Sequence, residues 1–136
     1  EELIIDNKLE LYSKEKVDNF IKHFNSYKLD LAANDVLDLA INTNLYLNEK
    51  QPWTLIKDEN NISLVSNIIY NVLESIRIIG LLLLPLLPDL SRKIDSQMGS
   101  IYEQDKSWNE QLNWGTLKQG TILPAPRPII EKLEYE

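Results

Sequence analysis

The stretch Asn44-Leu45-Tyr46-Leu47-Asn48-Glu49-Lys50-Gln51-Pro52-Trp53 decides how this chain is read. A patterned helix runs into it, polar side chains close that helix, and Pro-Trp leads out. Proline has no N–H to give and pushes the residue before it away from the α region, so the helix is expected to stop at Gln51. The ring of Trp53 is thereby set at a helix end. An indole at such a corner either plugs the gap between two helices or offers a face to something outside.

Helical periods extend on both sides of this corner. Upstream, Ser13 reads as an N-cap for a helix whose stripe is Val17, Phe20, Ile21, Phe24 and Tyr27. His23, the only histidine, falls on its polar side and is expected to be solvated, not catalytic. Asp30 can cap the next helix, with Ala33, Val36, Leu37, Ala40, Ile41 and Leu47 as its buried stripe and Leu39 widening it. Downstream, Pro52 to Lys57 reads as one helical turn with Pro52 near its first position. A polar loop follows, in which Asn60 or Asn61 can cap the longest helix. That helix keeps its period from Val65 to Leu83 and becomes apolar all round near its end, as a helix buried among neighbours does. Pro85 ends it, Pro88 opens another with Leu87, Leu90, Ile94 and Met98, and Gly99 stops that one.

The reading is therefore all-α. Residues 1–12 form an irregular lead-in in which Leu9 and Leu11 can anchor. Residues 13–100 form a bundle of about four helices. Residues 101–136 form a partly extended tail with Trp108, Trp114 and Gly115, and a short hairpin around Leu117 to Leu123.

Composition narrows the functions. The 136 residues suffice for one domain with a real core. There is no cysteine, so neither disulfides nor a cysteine zinc site can form, which fits a reducing cytoplasm. The net charge of −7 argues against nonspecific nucleic-acid binding and against DNA. It leaves open the reading of a few unpaired RNA bases, which relies on stacking and edge hydrogen bonds. The apolar run from Ile78 to Leu87 is broken by Gly80 and Pro85 and is too short for a membrane span. The first residue is Glu1, so the chain is expected to be a piece of a longer or processed protein. No phosphate-cradling glycine loop, nucleophile–histidine–acid set or metal-ligand spacing is present in the sequence. Acidic residues alternate with basic ones along helix faces, as on solvated surfaces. The residues by themselves reach a helical bundle with an aromatic corner, and no further.

Three segments carry a resemblance. NLYLNEKQPWTLIKD, residues 44–58, is similar to the asparagine–x–tyrosine–x5–proline–tryptophan–x3–lysine signature in the C-terminal anticodon-binding domain of methionyl-tRNA synthetases. LLLLPLLPDLSRKIDSQMG, residues 81–99, resembles that family's leucine-rich helix with its proline break and closing glycine. WGTLKQGTILPAPRPIIEKLE, residues 114–134, resembles its tryptophan–glycine, glycine, proline–isoleucine ending.

The resemblance implies that Trp53 stacks on bases of the CAU anticodon of tRNA(Met), with Pro52 fixing its position. It implies edge or phosphate contacts from Asn48, Lys50 and Lys57. The fragment itself is then non-catalytic and cofactor-free, and its partners are the anticodon loop and the catalytic domain of the same parent chain. That parent is a cytoplasmic ligase joining methionine to its tRNA with ATP and magnesium. One departure stands out. The family's earlier helix, which supplies an asparagine and an arginine to the anticodon, has no match in residues 1–12. Its absence is expected to leave apolar surface exposed on the first or the longest helix. Two alternatives remain: a helical interaction module without an RNA role, which expects Trp53 buried, and the anticodon domain of another class I synthetase.

Overall fold

Two long helices, α1 (Lys8–Asn25) and α2 (Leu29–Lys50), form an antiparallel hairpin in the computed structural model, which describes residues 6–117. Leu9 near the start of α1 packs with Tyr46 near the end of α2, and His23 near the end of α1 meets Asp35 early in α2. The chain then makes one turn of helix, α3 (Pro52–Leu55), and a 3-10 turn over Glu59–Asn61. The central helix α4 (Ile62–Leu83) packs against α1, α2 and α3, and α5 (Pro88–Gln97) lies on its second half. A last turn, α6 (Trp108–Gln111), returns to α4. The described residues contain no strand, and the all-α reading holds. The expected hairpin lies largely outside the described residues.

The main core gathers Phe20 from α1, Val36 and Leu39 from α2, Ile78, Leu81 and Leu82 from α4. A smaller cluster of Leu9, Tyr46 and Ile68 sits at the other end, with Leu55 of α3 packed on it. The end of α4 from Ile78 to Leu83 is apolar on every side, and its Ile78, Leu81 and Leu82 are buried in this core, as its composition foretells. By length and composition the segment Glu59–Leu83 is also apolar enough to cross a membrane. Its buried Asn71, Glu74 and Arg77 find their hydrogen-bond partners inside this domain, which marks it as a core helix.

Several expectations need correction. α1 starts at Lys8, five residues before Ser13. The Asp6 carboxylate accepts the Lys8 N–H at 3.0 Å, and Leu9 enters the core, so the helix is nucleated upstream. Ser13 is not a cap; it is buried inside α1 and its hydroxyl has no hydrogen-bond partner among the described residues. Asp30 lies within the first turn of α2, which begins after Lys28. His23 is not simply solvated: its Nδ1 lies 2.6 Å from the buried carboxylate of Asp35.

The buried face of α2 is rotated from the expected one. Ala32, Asp35, Val36, Leu39, Thr43 and Tyr46 turn inward, while Leu37 (56% exposed) and Ile41 (48%) turn out. Polar pairs explain the choice. Asp35 meets His23, Thr43 meets Ser75 at 2.6 Å, and the Tyr46 hydroxyl accepts from Asn71 Nδ2 at 3.0 Å. Satisfied polar groups can be buried, so this mixed face displaces a more apolar one.

Behind α4 a buried ion pair holds the returning segment. Glu74 pairs with Arg77 one turn on. The other Glu74 oxygen accepts the Gly115 N–H at 2.8 Å, the Leu117 N–H at 3.0 Å and the Tyr70 hydroxyl at 3.3 Å. Arg77 donates to the carbonyls of Gln111 and Asn113. Four backbone groups of an irregular segment are thus satisfied by two side chains of one helix.

Candidate nucleic-acid interface

The corner at Pro52-Trp53 is built by backbone geometry first. Gln51 adopts a left-handed conformation, φ 47° and ψ 61°, which ends α2. Its N–H donates to Leu47 O at 3.0 Å, and its carbonyl accepts the N–H of Thr54 at 3.0 Å and of Leu55 at 3.2 Å. One residue therefore closes one helix and opens the next. Pro52 occupies the first position of α3, where no N–H is needed.

Residues three apart in a helical turn share a side. Pro52 is buried and Leu55 packs on the Leu9–Tyr46–Ile68 cluster, so this side of α3 faces inward. Trp53 and Ile56 take the other side, 52% and 58% exposed. The indole is thus anchored through its neighbours and open to solvent on its own ring. Tyr46, in the same sequence stretch, has the opposite fate: it is 5% exposed and its hydroxyl is bonded to Asn71. Burial raises the Tyr46 pKa above its ordinary value, so the hydroxyl stays neutral beneath the corner.

Asn48 is exposed in the last turns of α2, and Lys57 is exposed beyond α3. Lys50 is half-buried, with its Nζ 3.0 Å from Asp6 Oδ2 and over the Tyr46 ring. Burial alone tends to raise the Asp6 pKa, but the Lys50 hydrogen bond and the Lys8 N–H outweigh it and lower the value. The Lys50 ammonium is correspondingly held above its ordinary pKa, chiefly by that hydrogen bond. Trp53, Asn48 and Lys57 are thus solvent-accessible around one helix end, with Pro52 as the buried support. Asp6, Gln51 and Ile56 also belong to this end, and sequence reasoning assigns none of them a functional role. The signal for Gln51 was its place before proline.

Chemically this end offers a flat apolar ring, side-chain amides and few cations. Such a surface suits stacking and edge recognition of unpaired bases better than a duplex backbone. Among the described residues no group of three or more histidine, cysteine or acidic residues could hold a metal ion.

Comparison with known proteins agrees in kind. Residues 4–136 match the family described as the anticodon binding domain of methionyl tRNA ligase. The chain is 31% identical over 132 residues to the methionine–tRNA ligase of Lactococcus lactis, covering 96% of this chain and 20% of that one. It is 38% identical over 100 residues to the methionine–tRNA ligase of Synechocystis, covering 67% of this chain and 19% of the relative. The chain therefore spans about a fifth of the length of these curated relatives. Its fold superposes on the free form of Mycobacterium tuberculosis methionyl-tRNA synthetase with a TM-score of 0.85 and 24% identity, covering all of this chain and 27% of that one.

Proposed function

We propose, since the chain belongs to the family of anticodon-binding domains of methionyl-tRNA ligases, that it recognises the CAU anticodon loop of tRNA(Met) within a longer ligase. The parent joins methionine to that tRNA, and ATP and magnesium are handled by the part of it outside this chain. The observation that carries this reading is the half-exposed ring of Trp53 on a rigid corner. Trp53 stacks on an unpaired base, Pro52 sets the ring's position, Asn48 meets a base edge and Lys57 a phosphate. Lys50 contributes to the same phosphate field while sharing its charge with Asp6.

Two features support a reading surface shared with the preceding part of the parent. Asp6, just before α1, is held at the C-terminal end of α2 by its ion pair with Lys50. Leu37, Ile41 and Leu45 form an outward apolar line on α2 leading toward the same end. Exposed apolar groups were expected on α1 or the longest helix; Ile62, Leu64 and Ile69 of α4 meet that expectation, and the α2 line adds to them. The interaction-module reading needs a buried Trp53 and is disfavoured by its exposure.

The test is to titrate the full-length ligase carrying this chain with stem-loop RNAs bearing CAU or another anticodon. Preferential binding of the CAU loop, lost on Trp53→Ala, supports the proposal. Equal affinity for every loop overturns it.

A further inference from the structure

We infer that Asp6 is a positioning residue for anticodon recognition: its ion pair with Lys50 holds the last turn of α2, and the Trp53 corner that follows it, against the segment leading into α1. The inference rests on the proposed RNA role of this corner and goes beyond it, to an acidic residue that belongs to no motif.

Asp6 is held at three atoms. Its Oδ1 accepts the Lys8 N–H at 3.0 Å, and its Oδ2 lies 3.0 Å from Lys50 Nζ. Its backbone carbonyl accepts from Asn71 Nδ2 at 3.4 Å, and the same amide donates to the Tyr46 hydroxyl at 3.0 Å. Tyr46 and Lys50 are one turn apart on α2, and the Lys50 ammonium lies 5.8 Å from the centre of the Tyr46 ring. The start of α1, the middle of α4 and the end of α2 are thus joined at one place. Helix ends fray unless something ties them down. Lys50 is the last residue of α2, Asn48 and Glu49 before it are exposed, and Trp53 comes three residues later. The Lys50 side chain is the tie.

The charge on Asp6 needs a reason. Asparagine would accept the Lys8 N–H equally well. A carboxylate repels phosphate, in a chain that already carries −7. What it adds over a carboxamide is a partner for the Lys50 ammonium. The pair is partly exposed, 27% at Asp6 and 39% at Lys50, so it adds little to the stability of the whole domain. Its effect is local: it fixes where the helix end and its indole sit.

The experiment uses the full-length ligase. Asp6→Asn keeps the acceptor for Lys8 and removes the charge. Lys50→Met keeps the stem over Tyr46 and removes the ammonium. Asp6→Asn should leave methionine activation unchanged and lower the Tm only slightly. It should raise KM for tRNA about three- to tenfold with kcat nearly unchanged, because anticodon contacts are made in the ground state and the transition state alike. Relief of charge repulsion alone would do the opposite and tighten tRNA binding, most at low salt. In the Lys50→Met background the same change should do no further harm, because the pair is already gone. An Asp6→Asn enzyme with a KM for tRNA at or below the wild-type value, or an equal loss in both backgrounds, overturns the inference. Trp53→Ala separates the two layers. If it impairs charging while Asp6→Asn does not, only the role of Asp6 fails. If both are silent, the RNA reading of the corner fails with it.

Discussion

Replacing Arg77 by methionine should destabilise the domain strongly although it leaves helix propensity nearly untouched. The Arg77 side chain is 5% exposed and the Glu74 side chain fully buried. The variant leaves a buried carboxylate with the Tyr70 hydroxyl and two N–H groups, and deprives the Gln111 and Asn113 carbonyls of their donor. Breaking a buried pair from one side costs about 3–5 kcal/mol. A domain of this size has a total stability of about 5–15 kcal/mol. At about 3–4 °C per kcal/mol for a chain of 136 residues, the Tm should fall by about 10–18 °C. The assay is thermal unfolding followed by circular dichroism, repeated for Glu74→Leu and for the double variant. The double variant should be less destabilised than the sum of the singles, because no orphaned charge remains. A loss below about 1 kcal/mol for Arg77→Met would refute the reasoning, since that is what a solvent-screened surface pair is worth.

Further outcomes follow from other contacts. Gly80→Ala improves helix propensity by about 1 kcal/mol, yet its Cβ would fall on the Tyr102 hydroxyl and 2.9 Å from Ile94 Cγ2. Overpacking should win, giving a net loss of about 1–2 kcal/mol in urea unfolding; a more stable variant would contradict the packing of α4 on α5 and Tyr102. His23→Ala should cost about 1–3 kcal/mol because it strands the buried Asp35 carboxylate, whereas a solvated histidine would cost almost nothing. The Asp6–Lys50 pair sets a pH dependence. Asp6 has a native pKa below its ordinary 3.8, so its contribution is complete above that value and is lost as pH falls through the lower native one. Acid titration of stability should therefore be shallower in Asp6→Asn over this window, and an identical profile would remove the pair from the account.

How far the sequence could be read depended on the range of the interactions involved. The Pro52 corner was legible because proline's constraints act on its own and the preceding residue. The run of α4 from Val65 to Leu83 was legible because its period is long and strongly apolar. Whether Trp53 faced in or out was not, because that depends on which side of α3 Leu55 anchors. The face of α2 was misjudged for the same kind of reason. Thr43 and Asp35 look like surface residues until Ser75 and His23 arrive from other helices. Glu74 and Arg77 were read with the other charges as solvated. Their position in Leu73-Glu74-Ser75-Ile76-Arg77-Ile78, leading into the all-apolar end of α4, was the available sign of a buried pair.

The open indole at residue 53 is the centre of the account, and charging kinetics test it most directly. In the full-length ligase, Trp53→Ala should leave methionine activation unchanged and lower kcat/KM for tRNA(Met) about ten- to hundredfold, the loss of one stacked base at about 1–3 kcal/mol. Unaltered charging of tRNA(Met) by that variant would contradict it.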